Sequence, residues 1–286
     1  SMSRGLGDVY KRQPDKERLA GMIQQAEQLL DGGQIDAADR LCDEVLAASP
    51  LYNRAHVIKA KVMMPGLKYG QIINRVHWEL NPETYVEIGV ARGGTLCRAQ
   101  ADTRVVGIDP EPKIEKKIPS RAKIYPTTSD DFFARYDLFE ELGSSRLALG
   151  FIDGLHIYEQ ALRDFINLER YSQPDTVILI HDCYPPTRLS AERDRAIAYW
   201  AGDVWRLIAC LVQYRPDLQV SVIPTFPSGL GLVTGLDKQS TVLSDNYDEI
   251  VQATLARDYS EVEENRHQVL PPLDNDWDVI RSRISG

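Results

Sequence analysis

Downstream of Pro65-Gly66 the chain alternates short, almost wholly apolar runs with longer stretches of helical period, and this alternation leaves few folds open. Short apolar runs punctuated by Gly, Asp or His read as strands buried on both faces, the mark of a mainly parallel sheet covered by helices. The predicted strands are Tyr85–Val90, Val105–Asp109, Lys123–Tyr125, Leu147–Asp153 and Thr176–His181, followed by Gln219–Pro224 and Gly231–Thr234. Helices are predicted over Thr95–Ala101, Ser129–Glu141, Tyr158–Tyr171 and Ala191–Tyr214. The Gly, Asp and His residues gather at the C-terminal ends of the strands, where open α/β sheets bind ligands.

The N-terminal quarter has a different rhythm. Ala20, Ile23, Ala26, Leu29 and Leu30 share one helical face, Gly32-Gly33 breaks the run, and a second helix is expected to end near Ser49. The stretch Gly32 to Pro50 resembles the second half of a tetratricopeptide repeat, with Gly33 at the turn, Ala38 at the close helix crossing and Pro50 ending the unit. Fewer than two repeats are visible, so this arm is expected to dock on the larger domain or on a second copy of the chain. Ser1-Met2 has the look of a cloning remnant. Asp8 to Gln13 is what the nucleotide string GAT GTG TAT AAG AGA CAG encodes, which resembles a transposon end used in preparing environmental sequencing libraries. Residues 1–13 are therefore set aside as a tail of cloning or adapter origin. The expected organisation is this tail, a helical arm over 14–66, an α/β domain over 67–240 and a helical extension over 241–286.

Charge and composition exclude several partners. Among 286 residues, 33 Lys and Arg face 42 Asp and Glu, a net charge of −9, whereas nucleic-acid binding needs a concentrated basic surface. No apolar run approaches the ~18 residues of a membrane span. Cys42, Cys97, Cys183 and Cys210 lie far apart with no CxxC pair, which fits a reducing, cytoplasmic setting.

The motif richest in chemistry is YVEIGVARGGTL, residues 85–96. A buried strand runs into Gly89, Gly93-Gly94 follow, and a helix is expected from Thr95; glycines let a ligand approach the backbone, and a helix start offers free N–H groups. Asp109 closes the next strand twenty residues after Gly89, where an acid can accept ribose hydroxyls. The spacing after Glu87 is E-x-G-x-x-x-G-G and not the dinucleotide GxGxxG.

EIGVARGG with GIDP resembles the first two motifs of class I S-adenosylmethionine-dependent methyltransferases. FIDGLHIYEQALRDF and VILIHDCYPP resemble the macrocin O-methyltransferase-like enzymes within that class. The likeness covers about Gln71 to Gly235. It implies a Rossmann-like, seven-stranded sheet with helices on both faces and S-adenosylmethionine as cofactor. It also implies a small hydroxylated acceptor, a sugar or secondary metabolite. In the family the glycine turn holds the amino-acid part of the cofactor, which points to Glu87, Gly89 and Gly93. The second-strand acid holds the ribose, which points to Asp109, and polar residues after the third strand border the adenine, which points to Ser129 and Asp130.

Chemistry is expected where the fourth and fifth predicted strands end. Asp153 and His156 follow one, His181 and Asp182 end the other, so two of the five histidines meet at neighbouring strand ends. Methyl transfer from a sulfonium needs an in-line acceptor and a place for the hydroxyl proton. An imidazole takes that proton and a carboxylate orients it, making His156, His181 and Asp153 the catalytic candidates. His156 is preferred, because Gly154 lets the turn aim it at the cleft. Relatives resembling catechol O-methyltransferase hold Mg2+ through acids after these two strands. Asp153, Asp182 and His181 stand in comparable places, so a divalent metal, Mg2+ or Mn2+, is a further expectation. His181-Asp182-Cys183 and Leu155 depart from that pattern, and lost carboxylates weaken an all-oxygen site. Beyond the fifth strand, Arg188, Arg193, Arg195, Trp200 and Trp205 either cover an acceptor pocket or, as the shared helical face of Ala196, Trp200 and Val204 suggests, belong to the core. Two rival readings stay open. One is a nicotinamide-dependent oxidoreductase, disfavoured by the missing GxGxxG; the other is a non-catalytic nucleoside-binding module whose arm recruits a partner.

Overall fold

The computed structural model describes residues 4–285, with side chains from residue 15 onward. The first helix, α1 (Arg4–Asp31), runs unbroken past residue 13; the rest of the expected 1–13 tail lies outside the described residues. Helices α2 (Ile35–Ala48) and α3 (Asn53–Met63) complete the arm, with Gly33 at φ +75° in the first turn and Ala38 buried. Leu19, Ile23, Ala26, Cys42, Val45, Ala55 and Ile58 give the arm a small core of its own. Toward the C-terminal end of α3, Ala60 and Met64 pack into the main core while Val62 still packs on the arm.

After α4 (Tyr69–Leu80) come β1 (Thr84–Ile88), β2 (Arg104–Ile108) and β3 (Ala122–Tyr125). Helices α5 (Ser129–Arg135) and α6 (Leu138–Leu142) lead to β4 (Leu147–Ile152), α7 (Tyr158–Glu169), β5 (Ser172–His181) and α8 (Trp205–Tyr214). Strands β6 (Gln219–Ile223) and β7 (Leu230–Thr234) close the sheet. Helices α9 (Val242–Asp245), α10 (Tyr247–Leu255), α11 (Ser260–Val269) and α12 (Trp277–Ile284) follow. The seven strands lie in the order β3-β2-β1-β4-β5-β7-β6, as expected for the Rossmann-like sheet. Side chains alternate across it: Val86, Ile88, Val106 and Ile108 face α5 to α8, while Tyr85, Val105, Leu149 and Phe151 face α4 and α12. No helix of the described residues is long and apolar enough to cross a membrane.

Three local expectations are corrected. The helix from Thr95 to Ala101 is a single 3-10 turn, Leu96–Arg98, because the glycine turn leaves too few residues before β2 for more. The expected Ser129–Glu141 helix is two helices. Tyr136 is extended at φ −123° and ψ 144°, and Asp137 caps α6 by accepting from the Glu140 N–H at 3.0 Å. Finally, Ala191–Tyr214 becomes helical only at Trp205. Before that, backbone donors go elsewhere: Tyr199 N–H to Asn53 Oδ1 at 2.6 Å, and Ala201 N–H to the Ser190 carbonyl at 2.9 Å. Ala196 is exposed in this irregular segment, so it shares no buried helical face with Trp200 and Val204.

Candidate active site

Adjacent connections diverge at the β1–β4 crevice, because β1 leads toward β2 on one side and β4 toward β5 on the other. Gly89 sits at that point with φ +90°, and its N–H donates to the Ile108 carbonyl at 2.8 Å. A Cβ here would overlap the Asp153 carbonyl, so no other residue fits. Ala91 follows at φ +46° and donates its N–H to Asp109 Oδ2 at 2.7 Å, while the Glu111 N–H reaches Oδ1 at 2.8 Å. Two backbone donors thus fix the Asp109 carboxylate, and each oxygen keeps a lone pair for a ligand hydroxyl.

A cavity of about 570 Å³ opens above these strand ends. Its wall runs from Thr128 and Ser129 beyond β3, past Asp109 and Gly89, to Asp153, His156, His181 and Asp182. His156 and Asp182 are held at φ +59° and +60°, left-handed geometry uncommon for such residues and often found at functional sites. His156 Nε2 lies 3.0 Å from Asp182 Oδ2 and 3.3 Å from Asp153 Oδ1. His181 Nδ1 lies 3.1 Å from Asp153 Oδ1 and 3.2 Å from Asp182 Oδ2. Ser228 donates to the other oxygen of Asp182. Trp200 stacks on His156 with centroids 5.5 Å apart, and Tyr69 stacks on His181 at 4.3 Å.

Burial disfavours charge on His181, but Asp182 and Asp153 outweigh it and hold the imidazole well above its ordinary pKa. For His156 the same contest, burial against Asp182 and then Asp153, leaves the pKa raised. Asp153 is half-buried and desolvation opposes its charge, yet His181 and then His156 hold it well below the carboxylate range. Asp153, His181 and Asp182 present ligand atoms all within 4.8 Å of one another.

Not every expected residue reaches this wall. Glu87 lies beneath it, buried, accepting from Tyr85 Oη at 2.6 Å and Thr95 Oγ1 at 2.6 Å, and burial pushes its pKa up to about 8. Gly93, at φ +74°, turns toward Ile114 and Ile118. Asp130 pairs with Arg163 at 3.0 Å outside the cavity, whereas Ser129 lines it. Of the five residues beyond β5, Trp200 alone joins the wall. Arg188 pairs with Asp258 and Glu263, Arg193 with Glu159, Arg195 lies over the outer face of Trp200, and Trp205 is core. Sequence reasoning passed over three contributors: Asp164 and Gln160, whose four-residue spacing on α7 does not tell a cavity from solvent, and Tyr69, whose place before the first strand gave no signal.

Residues 86–183, from β1 to just past the end of β5, match the family model described as "Methyltransferase domain". None of the curated proteins compared with the chain matches it in sequence. Among solved structures, the O-methyltransferase TomG from Streptomyces achromogenes, in complex with SAM, is similar at 17% identity. That match covers 59% of this chain and 79% of TomG, with a TM-score of 0.45. An O-methyltransferase from Bacillus cereus, in complex with SAH, is similar at 14% identity over 69% of this chain and 90% of its own, with a TM-score of 0.45.

Proposed function

We propose that the chain transfers a methyl group from S-adenosylmethionine to a hydroxyl of a small molecule, a sugar or secondary metabolite. One observation supports this above all: a single cavity joins the anchored Asp109 carboxylate to the His156–His181–Asp153–Asp182 cluster. The cofactor fits the residues present. Asp109 would accept its ribose hydroxyls, Ser129 borders the base, and the bare backbone at Gly89 leaves room that a Cβ would fill. When bound, it supplies the electrophilic methyl group. A nicotinamide reading loses support from the order β5-β7-β6, since the dinucleotide-binding sheet runs 3-2-1-4-5-6 without an inserted reversed strand.

His156 is the residue we assign to the proton. Its Nε2 faces the two carboxylates, and its Nδ1 has no hydrogen-bond partner among the described residues. His156 would take the proton of the acceptor hydroxyl as that oxygen gains the methyl group. The imidazolium so formed is stabilised by Asp182 and Asp153. His181, with its pKa raised further, stays charged and offsets the two acids. Because His156 must be neutral to act and its pKa is raised, turnover rises with pH over a range displaced above that of an ordinary imidazole.

A second reading rests on the converging donor atoms of Asp153, His181 and Asp182. Two carboxylate oxygens with an imidazole nitrogen suit Mn2+ or another transition ion better than Mg2+, and such an ion would acidify the acceptor hydroxyl.

Methyl-labelled S-adenosylmethionine offered with a panel of small hydroxyl compounds should give label in product and S-adenosylhomocysteine. With an acceptor in hand, His156→Ala should lower kcat by about 10²–10⁴ with cofactor affinity nearly unchanged. A variant with wild-type kcat removes His156 from the chemistry. Activity that survives exhaustive chelation, with no metal found by elemental analysis, removes the ion; activity lost and then restored by Mn2+ or Mg2+ assigns it.

A further inference from the structure

Asp164 is 1% exposed, yet it forms part of the cavity wall. Its Oδ1 accepts from Ser129 Oγ at 2.5 Å and from Gln160 Nε2 at 3.0 Å, and Gln160 Nε2 also reaches Ser129 Oγ at 3.0 Å. Oδ2 has no hydrogen-bond partner among the described residues. It lies against Gly154, another wall residue, where a Cβ would come within 3.7 Å. One oxygen is therefore locked from two sides and the other is left to the cavity. A buried carboxyl with half its acceptor capacity unused is costly unless something donates to it. Burial also pushes the pKa up to about 6, so a nearby donor would favour the ionised form.

The strand order says which part of a ligand meets this oxygen. Ser129 follows β3 at one end of the row β3-β2-β1-β4-β5, and the histidine cluster lies at the β4 and β5 end. A nucleoside with its ribose at Asp109 and its sulfur end toward His156 must place its base on the Ser129–Asp164 side. The adenine edge carries a 6-amino donor, where a 6-oxo purine carries an acceptor. We propose that Asp164 Oδ2 accepts the 6-amino group of the cofactor's adenine and is the residue by which this cavity rejects 6-oxo purines. This rests on the cofactor reading above. Ser129 and Gln160 act through Asp164 as positioning residues, spending their donors on Oδ1 and leaving Oδ2 free.

The alternative is that Asp164 merely ties α7 to α5 through Ser129. Calorimetry with S-adenosylhomocysteine, S-inosylhomocysteine and the purine analogue lacking a 6-substituent separates the two. Wild type should bind the adenosyl compound at least about tenfold more tightly than the inosyl compound, with the unsubstituted purine between them. Asp164→Asn keeps the shape and places a donor where Oδ2 stood, so it should bring the adenosyl and inosyl affinities together or invert them. Wild type that does not distinguish the three overturns the proposal even if the variant fails to fold. A folded variant, by its melting curve, that keeps the wild-type preference overturns it as well. Failure of wild type to bind S-adenosylhomocysteine at all overturns the cofactor reading itself.

Discussion

Glu87 changes role between sequence and structure. The family resemblance pointed to it as a ligand for the cofactor; in the fold it is sealed beneath the glycine turn, where Thr95 and Tyr85 occupy both its oxygens. With a pKa near 8 against an ordinary 4.5, folded Glu87 keeps a proton that the unfolded chain releases. The stability this proton contributes is complete below pH 4.5 and is lost as pH rises to about 8, at up to about 1.4 kcal/mol per unit. Asp164, raised to about 6 by burial, adds to the fall in its lower part. Glu87→Gln imitates the protonated acid, so urea unfolding across pH 5 to 8 should show a flatter decline than wild type and equal or greater stability at pH 8. An unchanged slope would mean that Glu87 is ionised in the folded state. Asp109, Asp153, His181 and Asp182 were legible because each stands at the end of an apolar run. Asp164 was not, since polar residues four apart on α7 look the same whether they face solvent or a cavity.

At the scale of elements, the strands were readable to within a few residues and the helices less so. Where a helix failed, a local device had replaced it. The α5–α6 break carries a signal in Asp137-Leu138-Phe139-Glu140, an acid placed to cap a new helix. The irregular segment before α8 carries none, because its hydrogen bonds go to Asn53 in the arm and to its own turns. Gly202 ends that segment at φ +70°, and a Cβ there would overlap the His156 carbonyl. Gly202→Ala should therefore destabilise the fold by about 1–3 kcal/mol and displace His156 from the acids. The thermal midpoint and kcat should both fall, while S-adenosylhomocysteine affinity changes little. A variant with wild-type midpoint and kcat would show that the segment yields without moving the histidine.

For the whole molecule, the sequence implied the class of sheet but left the direction of its last strands open. β6 and β7 are joined by residues 224–229, too short for the crossover of about a dozen residues that parallel strands require, so β7 runs antiparallel between β5 and β6. Ser228 in that hairpin reaches Asp182, tying the far edge of the sheet to the site. The arm is tied in the same way: His56 Nδ1 lies 2.8 Å from Thr187 Oγ1, and Asn53 holds Tyr199, so α3 braces the segment that carries Trp200 over His156. No sequence pattern marks these long-range ties, because they join polar residues far apart in the chain. Arm, hairpin and sheet converge on one cavity. Calorimetric titration of S-adenosylhomocysteine into wild type and Asp109→Ala is the most direct test of the cofactor reading. Saturable binding to wild type, weakened by about 1–3 kcal/mol in a folded variant, is the predicted result. No binding to wild type, or equal affinity in the two proteins, would contradict it.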